Sequence, residues 1–423
     1  MNVWIIQMGE PISFLDGDSR PFRTEMLVNR LVERGHSVLH WTSTFDRVRK
    51  RFRFRGAREM ALGSRLRYRF LNGPTPYGRN VSLGHSQHDR ELAEAFVNSA
   101  GEEPRPDLIV CSIPPLRLAR RASEYAHGHS VPLIVDVRER WPDSFFDSLH
   151  FPIRNLFRFI FRSDRRRTKQ VLHSASAVVA ISDSCLRWAL QKADRQRGAW
   201  DRVFPLAYEE PPKILFSEDG QRVAYGRRFS IGADDTVLTC LGRVGSSVDF
   251  DAFTALAERM ADVGRSDIKF VLAGEKPSKG LGRAAKLPNL IITGWLDRID
   301  LQRLLSMTTV GLLPYANDVQ GPTIRNKVMD FLAMGVPVIS SLGGEFGRLM
   351  DRYGFGLQFR AGDMDQLVEC VERLLRSKAL REKMALGAAN AFREHFTANR
   401  VYGEFAEYLE KFAENGIGVD GFC

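Results

Sequence analysis

Short apolar runs rich in branched residues recur along this chain, and each is closed by a glycine or a polar cluster. Helical spacing follows most of them. Val3–Met8 reads as a buried strand that runs into a loop with Gly9, Pro11 and Gly17. The spacing then predicts a helix over Phe22–Arg34, with Gly35 as its stop, and a second strand over Ser37–Trp41. Strand, glycine loop, helix, strand is the opening of a parallel α/β sheet. The same beat continues at Asp107–Cys111, Leu116–Ala126, Pro132–Asp136 and Ala177–Ile181, where Ser182-Asp183-Ser184 is placed to cap the next helix.

Between 205 and 229 the rhythm breaks into prolines and charges, which marks a linker. A second series follows, with strands at Val237–Leu241, Ile268–Ala273, Leu290–Thr293, Val310–Leu313 and Val336–Ser340. Helices are expected at Phe250–Met260, Leu301–Met307, Asn326–Met334, Val368–Leu375 and Arg381–His395. The fold class is therefore α/β, as two Rossmann-like domains facing a central cleft. The domains are 1–204 and 230–400, and a last helix within 401–423 packs back on the first. A length of 423 residues suits two such units at ~150 residues or more each. Ligands of open α/β sheets bind beyond the C-terminal strand ends, so the cleft is the expected site.

Composition narrows the setting. Net charge is +10, which favours anionic partners: nucleic acid, an anionic membrane face or a phosphorylated substrate. Cys111, Cys185, Cys240, Cys370 and Cys423 show no metal-ligand spacing, and buried free thiols are expected. No secretory leader and no run of ~18 apolar residues is visible, so the expected location is the cytoplasm.

Gly321–Ser341 is the sharpest candidate site. A polar, glycine-led loop containing Thr323 and Arg325 opens a helix at Asn326. Free N–H groups at a helix start suit a diphosphate, and Lys327 adds charge. Asp330 lies three and four residues beyond Lys327 and Asn326, placed to accept from ribose hydroxyls. The bland alternative is an ordinary helix–strand connection with solvated charges.

Asn326-Lys327, an acid, then Ala333-x-Gly335-x-Pro337-Val338-Ile339-Ser340 resembles the signature of retaining GT-B glycosyltransferases of family 4, also called group 1. Gly242-Arg243, Ala273-Gly274, Asn289–Gly294 and Leu312–Tyr315 resemble further segments of that family, as does Arg34-Gly35-His36-Ser37-Val38 in the first half. Asp136–Asp143 resembles a segment of enzymes that assemble bacterial O-antigens and capsules. The family commonly carries a second acid where Pro322 stands here. It also often has a lysine just after Gly-Arg, which Gly245–Asp249 does not supply. Lys276 and Lys327 are the nearest substitutes.

The resemblance implies transfer of a sugar from a nucleoside-diphosphate sugar, UDP favoured, to a glycan or polyprenyl-linked acceptor, with no cofactor and no metal required. It places Arg138, Glu139 and Asp136 near the sugar as catalytic candidates. Donor binding is assigned to Gly9, Gly17, Arg243, Lys276, Gly294, Trp295, Thr323, Asn326, Lys327 and Asp330. A nucleotide-sugar epimerase of the same fold stays open, as does a basic nucleic-acid- or membrane-binding protein, although no nucleic-acid module is recognisable. Asp16-Gly17-Asp18 and Asp363-Met364-Asp365 read as capping or solvated acids.

Two basic runs carry interleaved aromatics. One is Arg49–Arg55, a basic loop at the acceptor or a membrane contact. The other, 154–169, is a candidate surface helix for anionic lipid at the inner membrane face, or a helix packed on the sheet with a solvated basic side.

Overall fold

A computed structural model describes residues 1–16, 20–78, 82–146, 153–212, 215–216, 219–242, 248–274, 286–315 and 326–415. It divides into two units. Met1–Pro205 and the segment from Arg400 onward form the first, and Leu206–Asn399 the second.

The first unit is built on β1 (Asn2–Ile6), β2 (Ser37–Ser43), β3 (Phe45–Asp46), β4 (Arg51–Phe52), β5 (Arg58–Leu62), β6 (Leu66–Leu71), β7 (Leu108–Ile113), β8 (Leu133–Val137), β9 (Ala177–Ala180) and β10 (Arg202–Val203). Its helices are α1 (Arg23–Glu33), α2 (Leu83–Ala100), α3 (Leu116–Gly128), α4 (Asp143–Phe146), α5 (Ile153–Ile160), α6 (Arg162–His173) and α7 (Asp183–Ala193). The main sheet runs β10-β9-β8-β7-β1-β2-β6-β5, parallel except for the β5–β6 pairing. β7, β8 and β9 are buried along their whole length. That double burial is why such strands read as unbroken apolar runs. The chain leaves β1 toward β2 on one side and later returns to β7 on the other, so the switch point lies between β1 and β7. Ser182 caps α7 by accepting from the Cys185 N–H at 3.2 Å.

The second unit holds α8 (Asp219–Arg228), β11 (Thr236–Leu241), α9 (Phe250–Asp262), β12 (Ile268–Ala273), β13 (Leu290–Gly294), α10 (Arg298–Met307), β14 (Val310–Leu313), α11 (Asn326–Ala333), β15 (Val338–Ser340), α12 (Gly344–Tyr353), β16 (Gly356–Gln358), α13 (Met364–Arg376) and α14 (Lys378–His395). Its parallel sheet is ordered β13-β12-β11-β14-β15-β16. Counted from its own first strand, this is the Rossmann order 3-2-1-4-5-6, with the switch point between β11 and β14. The 205–229 stretch, read as a linker, belongs to this unit beyond Pro205. α8 buries Tyr225, whose hydroxyl donates to the Asp300 carbonyl at 2.6 Å. Its many charges hide that single anchor from a reading of periodicity.

α15 (Ala398–Asn415) begins at the end of the second unit and returns to the first from Arg400. Phe405 stacks on Phe204 with ring centroids 4.2 Å apart. Tyr408 donates to the Trp200 carbonyl at 2.6 Å, and Glu410 pairs with Arg34 and His36. The C-terminal helix thus crosses back to the first domain. Cys111, Cys185, Cys240 and Cys370 are free and buried. No helix among the described residues is long and apolar enough to cross a membrane.

Candidate active site

The second unit offers its clearest geometry at the switch point. Gly242, the residue after β11, has φ +102, and its N–H donates to the Ala273 carbonyl at 2.8 Å. Gly274, the residue after β12, has φ +154, and its N–H donates to the Gly294 carbonyl at 3.0 Å. The ends of three strands are stapled together in this way. A methyl group on Gly274 would strike the Gly242 carbonyl, and one on Gly242 would strike the side chain of Lys327. Glycine is therefore required twice, by backbone angle and by space. It is the close approach of Lys327, from the first turn of α11, that fills the room above Gly242. The ammonium lies beyond the carboxyl end of β11, and its charge also bears on the buried Cys240.

α11 buries Val328, Met329, Phe331 and Leu332 in the core, which fixes the orientation of its other face. Asp330 is buried as well, at 7% exposure, one turn in from Asn326 and Lys327. The helix ends after Ala333, where the Gly335 N–H donates to the Leu332 carbonyl and the Val336 N–H to that of Phe331. Across the switch point, Ser341 Oγ accepts from the Tyr315 N–H at 2.8 Å, which joins the ends of β14 and β15. Gly294 ends the edge strand β13, and Trp295, which follows it, is 76% exposed. The structure thus brings Lys327 to the end of β11, with Asn326 and Asp330 on the same helix. Gly294 stands on the same strand-end rim, two strands from β11. Gly17, Arg243, Lys276, Thr323 and Arg325 lie outside the described residues.

In the first unit, Asp136 is the penultimate residue of β8 and is buried with its carboxylate enclosed by protein. Arg23 grips it from α1 through Nε at 3.0 Å and Nη2 at 2.9 Å. Arg138 Nε donates to it at 2.9 Å. Burial opposes ionisation of this carboxyl, but the two guanidiniums outweigh it and hold the carboxyl below the usual carboxylate range. Arg138 also donates to Thr24 Oγ1 at 2.8 Å and pairs with Glu10. The other Glu10 oxygen accepts from the Thr24 N–H at 3.0 Å, at an α1 start with no side-chain cap from Phe22. Glu139 is exposed and accepts from Ser144 at 3.0 Å. Gly9 lies beside Arg47 in the loop after β1. Arg138 and Gly9 stand at the strand ends of this unit, whereas Asp136 touches protein alone. Nothing in the local sequence marks Glu10, Arg23 or Thr24. Charge pairs separated by more than a hundred residues leave no local pattern to find.

Other expectations sort readily. Of the basic run Arg49–Arg55, the Arg53 side chain is 6% exposed and donates to Asp16 at 2.6 Å, while Arg49 pairs with Asp16 and Asp46. Two of the five cations in that run, Arg49 and Arg53, are thus neutralised internally. Asp363 caps α13 by accepting from the Gln366 N–H at 3.0 Å, and Asp365 pairs with Arg259. Among the described residues no group of acids, histidines and cysteines has metal-holding geometry.

These two sheets and their order define a GT-B protein. Sucrose-phosphate synthase from Thermosynechococcus elongatus superposes with a TM-score of 0.71 at 15% identity, covering 98% of this chain and all of that one. Anabaena HepE in complex with UDP superposes at 0.65 and 12% identity, covering 97% of this chain and 99% of that one. Residues 235–377 match the family model described as glycosyl transferases group 1. The fold is thus that of GT-B structures, and the resemblance to the group 1 glycosyl transferases lies in the second unit. Alpha-D-kanosaminyltransferase from Streptomyces kanamyceticus is 22% identical over 270 residues, which is 61% of this chain and 65% of that protein. The chain therefore spans just under two thirds of that curated relative.

Proposed function

We propose that this chain moves a sugar from a nucleoside-diphosphate sugar, with UDP as the nucleotide, to a glycan or polyprenyl-linked acceptor. The observation that carries the reading is the Gly242–Gly274 cradle at a Rossmann switch point, with the Lys327 ammonium over it. A diphosphate needs close backbone approach and positive charge, and that place supplies both. The UDP bound to HepE, a fold neighbour, supports the nucleotide. During transfer the bond from the anomeric carbon to the diphosphate oxygen breaks, and its electron pair stays on the diphosphate. The acceptor oxygen bonds that carbon and passes its proton to the departing diphosphate. Charge grows on the leaving group, so Lys327 and the N-terminal end of α11 favour the transition state over the bound donor. Retention at that carbon and a place in O-antigen, capsule or exopolysaccharide assembly rest on the signature from Asn326 to Ser340 and on Asp136–Asp143.

Work at the inner membrane face draws support from α5. Ile153, Leu156, Phe159 and Ile160 are each more than half exposed, along one side of the helix. Phe157 and Phe161 turn the other way, onto Phe145, Phe146 and Trp141. Arg154, Arg158 and Arg162 flank the exposed stripe, and the Arg162 guanidinium lies 4.5 Å from the Phe159 ring. Apolar residues beside arginines suit the boundary of an anionic bilayer. Phe159→Glu should lower co-sedimentation with phosphatidylglycerol vesicles by about ten-fold, given ~1–2 kcal/mol of buried ring area lost. Equal sedimentation of variant and wild type would refute the contact.

Consumption of a UDP-sugar with and without a lipid-linked acceptor tests the main reading. Transfer requires the acceptor. Isomerisation or release that proceeds equally without it would favour the epimerase.

A further inference from the structure

Arg23 is an unusual residue for the first turn of a helix. Its side chain is 1% exposed, and that of Asp136 is 2% exposed. Its Nε and Nη2 clasp Asp136, and its Nη1 donates to the Phe204 carbonyl at 2.7 Å and the Pro205 carbonyl at 3.2 Å. Pro205 is the last residue of the first unit before the chain passes to the second. The guanidinium also faces the Phe405 and Tyr402 rings of α15 at 5.3 and 6.0 Å. One planar group thus joins four segments: the start of α1, the end of β8, the outgoing chain at Phe204–Pro205, and the returning helix. A lysine could keep the charge. Its ammonium is a point donor and does not span a carboxylate and two carbonyls at once.

From Asp136 the network continues outward. Arg138 holds the same carboxylate, and also Glu10 and Thr24, at the strand ends of the unit. A buried charge pair of this kind gains little stability over apolar packing, so a role in specifying geometry is a reasonable account of its presence.

We propose that Arg23 is a positioning residue. It fixes Asp136, which aims Arg138, and so ties the Glu10–Arg138 corner to the crossover and to α15. The proposal rests on the reading that Arg138 works on the substrate side. The test compares Arg23→Lys with Glu410→Gln, which loosens α15 at Arg34 and His36 without touching the network.

Amide hydrogen exchange is followed at Glu10, whose N–H donates to Gln7 Oε1 at 3.4 Å, and at Arg138, whose N–H donates to the Ile113 carbonyl at 3.3 Å. Arg23→Lys should speed both by ten-fold or more, whereas Glu410→Gln leaves both unchanged. Turnover should fall ten-fold or more in Arg23→Lys, with the donor KM within two-fold of wild type. Faster exchange confined to Phe204 and 398–412, or equal effects of the two variants, would overturn the proposal. If Arg23→Lys does not fold, Asp136→Asn is measured in the same way with the same expectation. A wild type inactive on every donor would speak against the proposed function, and the exchange data would still decide the role of Arg23.

Discussion

Asp330→Ala should lower kcat/KM for the nucleotide sugar by about a hundred-fold, mostly through KM. The expectation follows from its place on α11. The helix packs Val328, Phe331 and Leu332 into the core and brings Asp330 one turn behind Lys327. If Lys327 meets the diphosphate, the ribose lies further along the helix, within reach of a carboxylate. Hydrogen bonds to a charged acceptor contribute roughly 1.5–3 kcal/mol each, and ~1.4 kcal/mol is a factor of ten. A ribose contact persists from bound donor to transition state, so its loss appears in KM more than in kcat. Asp330→Asn, which keeps the shape, should lie between the two. Unchanged kinetics in Asp330→Ala, with melting of the free protein also unchanged, would mean that α11 does not hold the donor.

The second large effect is on stability. Asp136→Ala should destabilise the first unit by about 3–5 kcal/mol, the usual cost of removing one partner of a buried ion pair. Arg23 would then lie buried with no carboxylate, and Arg138 would keep only Glu10 and Thr24. For a unit of this size the melting temperature should fall by roughly 10 °C. The pH dependence has a definite sign. The folded carboxyl titrates below its unfolded value, so its stabilisation is complete above pH ~3.8 and is lost as pH falls through the folded value. Asp136→Ala should therefore melt lower at neutral pH and show a shallower further loss in strong acid. An Asp136→Ala melt within 2 °C of wild type, about half a kcal/mol, would contradict the account of this network.

Much of the fold is legible in the residues because parallel strands are buried on both faces. Leu108–Ile113 and Ile268–Ala273 announce themselves as apolar runs. Other elements are not. α2 gathers its buried Leu92, Ala93, Phe96 and Ala100 in its second half, after a start crowded with polar residues. β6 alternates apolar residues with arginine, and its Arg67 and Arg69 pair with Glu59, Glu102 and Glu103. A strand written with that much arginine does not read as part of a core sheet. The residues proposed to hold the donor are local, within Asn326–Asp330, and a helix start with its own signature can be read. In the first unit, the network of Glu10, Arg23, Asp136 and Arg138 exists only once the loop after β1, the start of α1 and the end of β8 meet. Even there sequence could point to Arg138, by its place after β8. It could not show that this side chain leans back on Asp136.

The central claim is that the Gly242–Lys327 corner binds a nucleoside diphosphate. Melting of the protein with UDP, GDP and ADP tests it most directly. At a hundred times its dissociation constant, the bound nucleotide should add ~2.7 kcal/mol to the second unit. Its melting should then rise by several degrees, for UDP above the others, and Lys327→Ala should abolish the rise. Absence of any shift with all three nucleotides, together with tight binding of RNA, would contradict it.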